Sequence, residues 1–278
     1  MRTRYSNGIV IILILFFAID GVMAQAKFSN KIYGKIVDSE TGKPLFNVNV
    51  FLSNTTRGAA SGPDGSYAIE NIPPGSYQLI VSMIGYELLK IPVHFIKQKT
   101  FHKDIRLVPK ILPGEEVEII AEEPKEWKKN LNRFYVYFIG ETENARKCKI
   151  LNPEVLDFKI NPDTGEFVAF TDSMLTIDNE ALGYRLRIIL EQFRFCHDSL
   201  YLVIYPLYSE LPSNDEKQKD KWQKRRKETY EGSFRHFLSA LARGKVQQEY
   251  FELYRRGGDL VTAEELNIIH NDTSAVLK

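Results

Sequence analysis

The residue types that could catalyse a reaction are present in this sequence, but their spacing does not assemble a site. A hydrolase needs a nucleophile beside a general base, or paired carboxylates in a cleft. No G-x-S-x-G segment occurs, and Cys196 and His197 are neighbours, which on a strand point to opposite faces. Four acids cluster around predicted turns, where acidic residues are usually solvated: Asp163, Glu166, Asp172 and Asp178. We therefore predict a non-enzymatic protein and keep a hydrolase in the second half as an alternative.

Metal ligands are too scattered to predict a metal or any other cofactor. A zinc peptidase site would be built from His and Glu, but no histidine begins an H-x-x-E segment. The five histidines are His94, His102, His197, His236 and His270. Asp64 beside Gly65 could start a calcium loop, but the segment offers too few oxygen ligands for the usual coordination of about six to eight. An Asp-Gly turn is the better explanation.

The charge balance argues against a nucleic-acid partner. Residues 215–228 contain seven basic and four acidic side chains around Trp222, and the interleaved acids weaken the positive field. We expect a solvated helix face with Trp222 packed inward. If residues 1–24 are removed, the 37 basic and 36 acidic residues fall to 35 of each, which leaves no net charge.

The first 24 residues have the pattern of a signal peptide. Arg2 and Arg4 precede an apolar run, and small residues end at Ala24, where a signal peptidase would cut. An uncleaved anchor is the alternative, although the apolar run is short for a bilayer, which takes about 20 residues. We predict export to the periplasm, outer membrane or cell surface, with no transmembrane span after cleavage.

The two cysteines lie in the second half and could form one disulfide in an oxidising compartment. Cys148 and Cys196 could equally be two separate thiols that pack as small apolar groups. The spacing leaves both alternatives open, because a bridge requires Cα atoms within about 7 Å.

Residues 31–108 alternate apolar and polar residues with a period of two, which predicts short strands. Turn dipeptides separate the runs, including Thr41-Gly42, Asp64-Gly65 and Pro74-Gly75. Six or seven such strands favour an all-β sandwich. The predicted core residues are Val50, Tyr67, Ile69, Leu79 and Val81.

The rest of the chain predicts a linker at 109–125, an α+β domain at 126–256 and a polar tail at 257–278. A helix over 126–147 presents one apolar face: Trp127, Leu131, Phe134, Tyr135 and Phe138. A hairpin is expected over 156–170, with longer strands at 184–195 and 200–208. The strand at 200–208 is apolar on both faces, which predicts a central position. A kinked helix over 214–244 and a last strand over 246–254 complete the prediction.

The turn residues and tyrosines of the first half follow a recognisable order. The positions are Gly34, Asp38, Gly42, Pro44, Asp64, Gly65, Tyr67, Pro73, Gly75, Tyr77, Gly85 and Tyr86. In this order residues 31–108 resemble the carboxypeptidase-regulatory-like domain, which is common in secreted proteins of the Bacteroidetes. The resemblance implies a transthyretin-like (prealbumin-like) sandwich of about seven strands in which these residues are structural. It implies no active site, because the module only accompanies a metallopeptidase in some proteins.

The second half resembles the companion domain of short secreted regulatory-like proteins, which implies no activity. The matching residues are Asn144-Ala145, the segment Cys148-Lys-Ile-Leu-Asn-Pro153, Leu182-Gly183-Tyr184, Trp222 and the segment Tyr230-x-Gly232-Ser233-x-x-His236-Phe237-Leu238. We predict an envelope protein that binds or scaffolds, with an outer-membrane protein or a glycan as partner. Tyrosines could stack on sugars, although core packing is the commoner role: Tyr67, Tyr86 and Tyr208. Since the same module opens many TonB-dependent receptors, an accessory component of a TonB-dependent (SusC-like) uptake system is the alternative.

Overall fold

The computed structural model describes residues 30–95, 100–110, 124–197, 199–254, 259 and 261. The predicted signal peptide, most of the linker and most of the tail lie outside these residues. The described part of the first half contains eight strands. They are β1 (Asn30–Asp38), β2 (Asn49–Leu52), β3 (Gly58–Ala60), β4 (Ser66–Ile72), β5 (Gly75–Ser82), β6 (Leu89–Phe95), β7 (Thr100–His102) and β8 (Ile105–Leu107).

These strands form the predicted sandwich of two four-stranded sheets. In one sheet β1 lies between β4 and the short strands β7 and β8, and the other sheet has the order β3-β2-β5-β6. Gly34 lets β1 approach its parallel neighbours, because a Cβ there would lie 2.0 Å from the carbonyl oxygen of Lys103. All five predicted core residues are buried between the sheets, each at most 4% exposed.

The second half is an α+β region. Its elements are α1 (Pro124–Phe138), β9 (Cys148–Ile150), β10 (Leu156–Ile160), β11 (Phe167–Thr171), β12 (Leu175–Asn179), β13 (Tyr184–Cys196), β14 (Ser199–Glu210), α2 (Glu216–Tyr230) and α3 (Phe234–Ala242). The predicted 156–170 hairpin is confirmed, and Gly165 makes its turn with φ of +69°.

Three boundaries in this half differ from the prediction. The first helix ends at Phe138 rather than 147, and Gly140 follows with φ of +87°, a conformation that suits glycine after a helix. The second helical segment is two helices, because the Ser233 hydroxyl accepts the backbone N–H of His236 and starts a new one. Residues 246–250 form turns and 251–253 have no regular structure, with a bridge position at Tyr254, instead of the predicted strand.

The strands of the second half form one six-stranded sheet centred on β13. The order is β10-β11-β13-β12-β9, and β14 pairs along the other edge of β13. The predicted central position of β14 is wrong. Apart from a bridge between Leu207 and Thr55, β13 is its only strand partner among the described residues.

One face of this sheet is covered by α1 through packed aromatic rings. The Phe134 ring is fully buried and lies 4.9 Å from that of Phe193 and 4.8 Å from that of Phe138, centroid to centroid. Trp127 and Leu131 pack against the same cluster, as the helical spacing predicts. The opposite face is therefore left for another layer.

The sandwich supplies that layer. Phe51 and Ile80 lie on its outer face, yet both are fully buried in one cluster with Leu207 of β14. At the edge of this contact Lys90 Nζ lies 2.7 Å from a carboxylate oxygen of Glu191. The described molecule thus stacks two sandwich sheets, the second sheet and α1, which explains why β14 is apolar on both faces.

The disulfide that the sequence left open does not form. Both cysteines are free. Cys148 of β9 pairs with Asn179 of β12, and Asn179 pairs in turn with Tyr184 at the start of β13. Cys196 ends the same strand, twelve positions later, so the two thiols are separated by about 40 Å of extended chain. That distance is far beyond the reach of a bridge. Burial raises the pKa of the Cys148 thiol, as expected of a packed apolar group.

Candidate functional site

In the sandwich the Ser76 hydroxyl lies 2.9 Å from Nδ1 of the His94 imidazole, at an exposed position. A second contact between a nucleophile and a base joins Cys196 and His197. The expectation that they point apart is wrong, because His197 leaves the strand with φ of +45° and places Nδ1 2.9 Å from the Cys196 sulfur. The contact lies at an exposed hairpin end, and the described residues supply no carboxylate bonded to this imidazole. It therefore lacks the group that orients a catalytic base.

The four acids that the sequence placed close together do not converge on one cleft. Asp178 lies on β12 opposite Arg185 at the start of β13, and Arg185 donates two hydrogen bonds to it at 2.6 and 2.8 Å. Asp163 and Glu166 lie at the turn near the other end of β13. In the described residues no three His, Cys, Asp or Glu side chains are placed to hold a metal ion.

An open groove on the outer surface of the sandwich is a candidate for binding. It has a volume of about 750 Å³ and follows the outward face of β1, where Tyr33 is 39% exposed. The His102 ring lies 5.0 Å from the Tyr33 ring, centroid to centroid, because β7 pairs with β1 in register at these two residues. Small residues leave the groove open: Ala59, Ala60, Gly62, Ser66 and Ala68. We call it the Tyr33 groove.

Polar groups surround the two rings of the Tyr33 groove. Lys31 Nζ lies 5.7 Å from the Tyr33 ring centroid and 2.8 Å from Glu70. Asp104 accepts the backbone N–H of Lys35 and lies 3.2 Å from His102 Nε2. Aromatic faces flanked by hydrogen-bonding groups suit a ligand with both apolar and hydroxyl-bearing surface. The alternating burial of β1 places Tyr33 on the outward face, and the parallel register of β7 brings His102 beside it.

The tyrosines that we considered for sugar stacking are used inside the protein instead. Tyr67 donates to the carbonyl of Lys103 at 2.8 Å, and burial raises the pKa of its phenol. Burial also raises the pKa of Tyr208, whose ring meets that of Tyr184 edge-on. Tyr86 donates to the Asp38 carboxylate at 2.8 Å. These three side chains therefore do not form a stacking platform.

Asp38 is the centre of a network that explains several positions of the predicted signature. Its side chain accepts the backbone N–H groups of Glu40 and Thr41, the Thr41 hydroxyl and the Tyr86 hydroxyl, at 2.7–3.0 Å. The Thr41 N–H and the Tyr86 hydroxyl hold the pKa of Asp38 below its ordinary value. The network joins the turn after β1 to the segment after β5, so its role is structural.

Other signature residues close turns. Gly65 has φ of +75°, and a Cβ there would lie 2.5 Å from the carbonyl oxygen of Ile36. Tyr77 donates to the carbonyl of Pro73 at 3.0 Å and so braces the β4–β5 turn. Pro44 forms an isolated bridge with Val37. None of these contacts leaves a group free to act on a ligand.

Comparison with known proteins agrees with this geometry. Residues 32–119 match the family model of the CarboxypepD_reg-like domain. These residues form a CarboxypepD_reg-like domain. A TonB-dependent receptor, P39 of Formosa agariphila, is 32% identical over 90 residues, which are 31% of this chain and 8% of the receptor. The chain thus spans a small part of that relative's length.

Solved structures also resemble part of this chain. The 5-hydroxyisourate hydrolase of Klebsiella pneumoniae is 20% identical, with 29% of this chain and 91% of that chain covered and a TM-score of 0.25. The pilus 2b backbone protein of group B streptococcus is 16% identical, with 30% and 42% covered and a TM-score of 0.25.

Outside the CarboxypepD_reg-like domain, Trp222 and Arg226 fix α2 to the loop between β12 and β13. The Trp222 ring covers Gly183, where a Cβ would lie 2.1 Å from a ring carbon, and its Nε1 donates to the carbonyl of Glu180 at 2.9 Å. Arg226 donates to the carbonyls of Leu182 and Gly183 at 2.7 and 3.1 Å. These contacts confirm that Trp222 packs inward and explain the Gly183-Tyr184 and Trp222 positions structurally.

Further residues of the companion pattern brace the start of α3. His236 is buried, and its Nδ1 accepts the backbone N–H of Gly232 at 3.1 Å. Nε2 therefore carries the proton and donates to Glu249 at 3.1 Å. A histidine with both nitrogens occupied in this way acts as a structural group.

Among the described residues, no helix has the length and hydropathy needed to cross a bilayer.

Proposed function

We propose that this chain is a non-enzymatic, exported binding protein of the cell envelope, and that its CarboxypepD_reg-like domain binds a glycan in the Tyr33 groove. The observation that carries the proposal is the exposed Tyr33 and His102 ring pair, set in a groove of about 750 Å³ with charged groups at its sides. Sugars present apolar ring faces and hydroxyls, which match aromatic rings and charged hydrogen-bonding groups respectively. Export is supported by the signal pattern of residues 1–24.

The glycan proposal is tested by a glycan array followed by calorimetric titration of the mature chain, residues 25–278. Tyr33→Ala should weaken binding of the best array ligand roughly tenfold, because it removes one stacking face. The matched control is Tyr250→Ala, since Tyr250 is 95% exposed and lies outside the groove. Equal affinity in the wild type and Tyr33→Ala would refute the groove as the glycan site.

An accessory role in a TonB-dependent uptake system is the second candidate, supported by the similarity of the first half to the receptor of Formosa agariphila. The mature chain would be used to capture partners from an envelope extract. Specific recovery of a TonB-dependent receptor would favour the accessory role. If recovery is lost in Tyr33→Ala, or when the glycan that binds the Tyr33 groove is added in excess, the receptor contacts the same groove. Recovery of no receptor would count against it.

The proposed absence of catalysis rests on the lack of an oriented nucleophile or paired carboxylates in the described residues. In the second half, an enzymatic alternative would use Cys196 with His197. A screen with ester, amide and glycoside substrates should give no turnover that distinguishes the wild type from Cys196→Ser. Turnover that disappears in Cys196→Ser would make the second half a hydrolase and overturn the proposed absence of catalysis.

A further inference from the structure

A second concave site lies in the other half of the molecule, between α2 and the loop that follows β12. It encloses about 520 Å³, and we call it the Trp222 pocket. Its walls are Lys221, Trp222 and Arg225 of α2, together with Lys147 and Glu180. The backbone N–H of Glu180 donates to the carbonyl of Lys147 at 3.1 Å, which fixes the far wall opposite the helix.

Three cations of the Trp222 pocket have no acidic partner among the described residues: Lys147, Lys221 and Arg225. Four other cations of α2 form ion pairs, for example Lys219 with Glu216 and Arg226 with Glu210, each at 2.7 Å. The pocket therefore collects positive charges that the protein leaves unneutralised. Such groups are available for charge-assisted hydrogen bonds to a bound anion.

The charge balance of the Trp222 pocket limits the kind of anion. Lys147, Lys221, Lys224 and Arg225 line it with Glu180 and Glu228, so two positive charges are in excess. A phosphate monoester carries about two negative charges at neutral pH, which matches this excess. A long polyanion would instead bring further charges against the two carboxylates.

The Trp222 side chain adds an apolar wall. Its only hydrogen-bond donor, Nε1, is already used by the carbonyl of Glu180, so the ring can offer a ligand only nonpolar contact. The geometry points to a binding site for a small phosphate monoester whose body packs against Trp222. The phosphate could belong to a soluble sugar phosphate or to a lipid headgroup, and both present the same dianion to the cations.

The test is binding of inorganic phosphate and a hexose phosphate to the mature chain, measured by calorimetry and tryptophan fluorescence at low ionic strength. The chain has two tryptophans, so a Trp127→Phe background leaves Trp222 as the only emitter. We expect saturable binding of both probes and a change in Trp222 emission. Arg225→Gln and Lys147→Gln, on opposite walls, should each weaken binding roughly tenfold, since each removes one charge-assisted contact.

Lys217→Gln is the matched control, because Lys217 is an exposed cation of the same helix that does not line the pocket. It should bind like the wild type. Tighter binding of vesicles containing a monoester-phosphate lipid than of hexose phosphate would assign the lipid source, and the reverse would assign the soluble one. Absence of saturable phosphate binding, or equal weakening in all three variants, would overturn the proposal. Glycan binding in the Tyr33 groove is independent of either result.

Discussion

At the scale of single residues, the Asp38 carboxylate links stability to pH. The Thr41 N–H and the Tyr86 hydroxyl lower the pKa of Asp38 in the folded protein. The stability that these hydrogen bonds add is therefore complete above the ordinary pKa of an aspartate, and it is lost as the pH falls through the lower pKa of the folded state. Tyr86→Phe should reduce the free energy of unfolding at pH 7. The deficit should shrink below about pH 4, because protonation removes the same interaction from the wild type.

Urea unfolding of both proteins between pH 7 and pH 2.5 measures this convergence. Tyr254→Phe is the control, because it also deletes a hydroxyl that donates to a carboxylate, Glu252, but at an exposed position two residues away in sequence. The control should leave the unfolding free energy unchanged across the range. A deficit in Tyr86→Phe that stays constant with pH would contradict the assigned role of Asp38.

At the scale of elements, the packing of Trp222 on Gly183 determines where α2 lies. Gly183 and Gly165 have nearly the same positive φ, +67° and +69°, but a Cβ on Gly165 would meet nothing within 4 Å. Gly165→Ala should therefore lower the free energy of unfolding only by the cost of a positive φ for a residue with a Cβ, about 1–2 kcal/mol. Gly183→Ala should lose more, because the Trp222 ring must also move and break its bond to Glu180.

Chemical denaturation followed by circular dichroism and tryptophan fluorescence compares the two glycine variants. Trp222→Ala should lose roughly 3–5 kcal/mol, the usual range for a buried tryptophan. A native emission spectrum in Gly183→Ala, together with the same stability loss as Gly165→Ala, would show that Trp222 does not cover Gly183 in solution.

Local sequence patterns predicted which helices and strands form better than they predicted which elements pack beside one another. The period of two and the turn glycines were sufficient for the sandwich and for the 156–170 hairpin, because those signals act within a few residues. The edge position of β14 was missed because the sequence shows that both faces are apolar but not that a second domain covers one of them. His102 beside Tyr33, and the pocket cations around Trp222, depend on pairing between distant segments, which no local pattern contains.

At the scale of the whole molecule, the buried cluster of Phe51, Ile80 and Leu207 should make the two halves unfold together. The ion pair between Lys90 and Glu191 adds little, because exposed or partly exposed pairs contribute about 0–1 kcal/mol. Burial alone would raise the pKa of Glu191, but bonds from Lys90 and Tyr205 lower it. The apolar contact should therefore couple the halves more strongly than this ion pair does.

Leu207→Ala should remove roughly 2–5 kcal/mol from this coupling, because it leaves a cavity against Phe51. Both tryptophans, Trp127 and Trp222, lie in the second half, so fluorescence reports that half while far-ultraviolet circular dichroism reports both. In the wild type the two thermal transitions should coincide, and in Leu207→Ala they should separate. Leu200→Ala, at an exposed position of the same strand, should keep them coincident. Coincident transitions in both variants would mean that the halves are coupled by something other than this cluster.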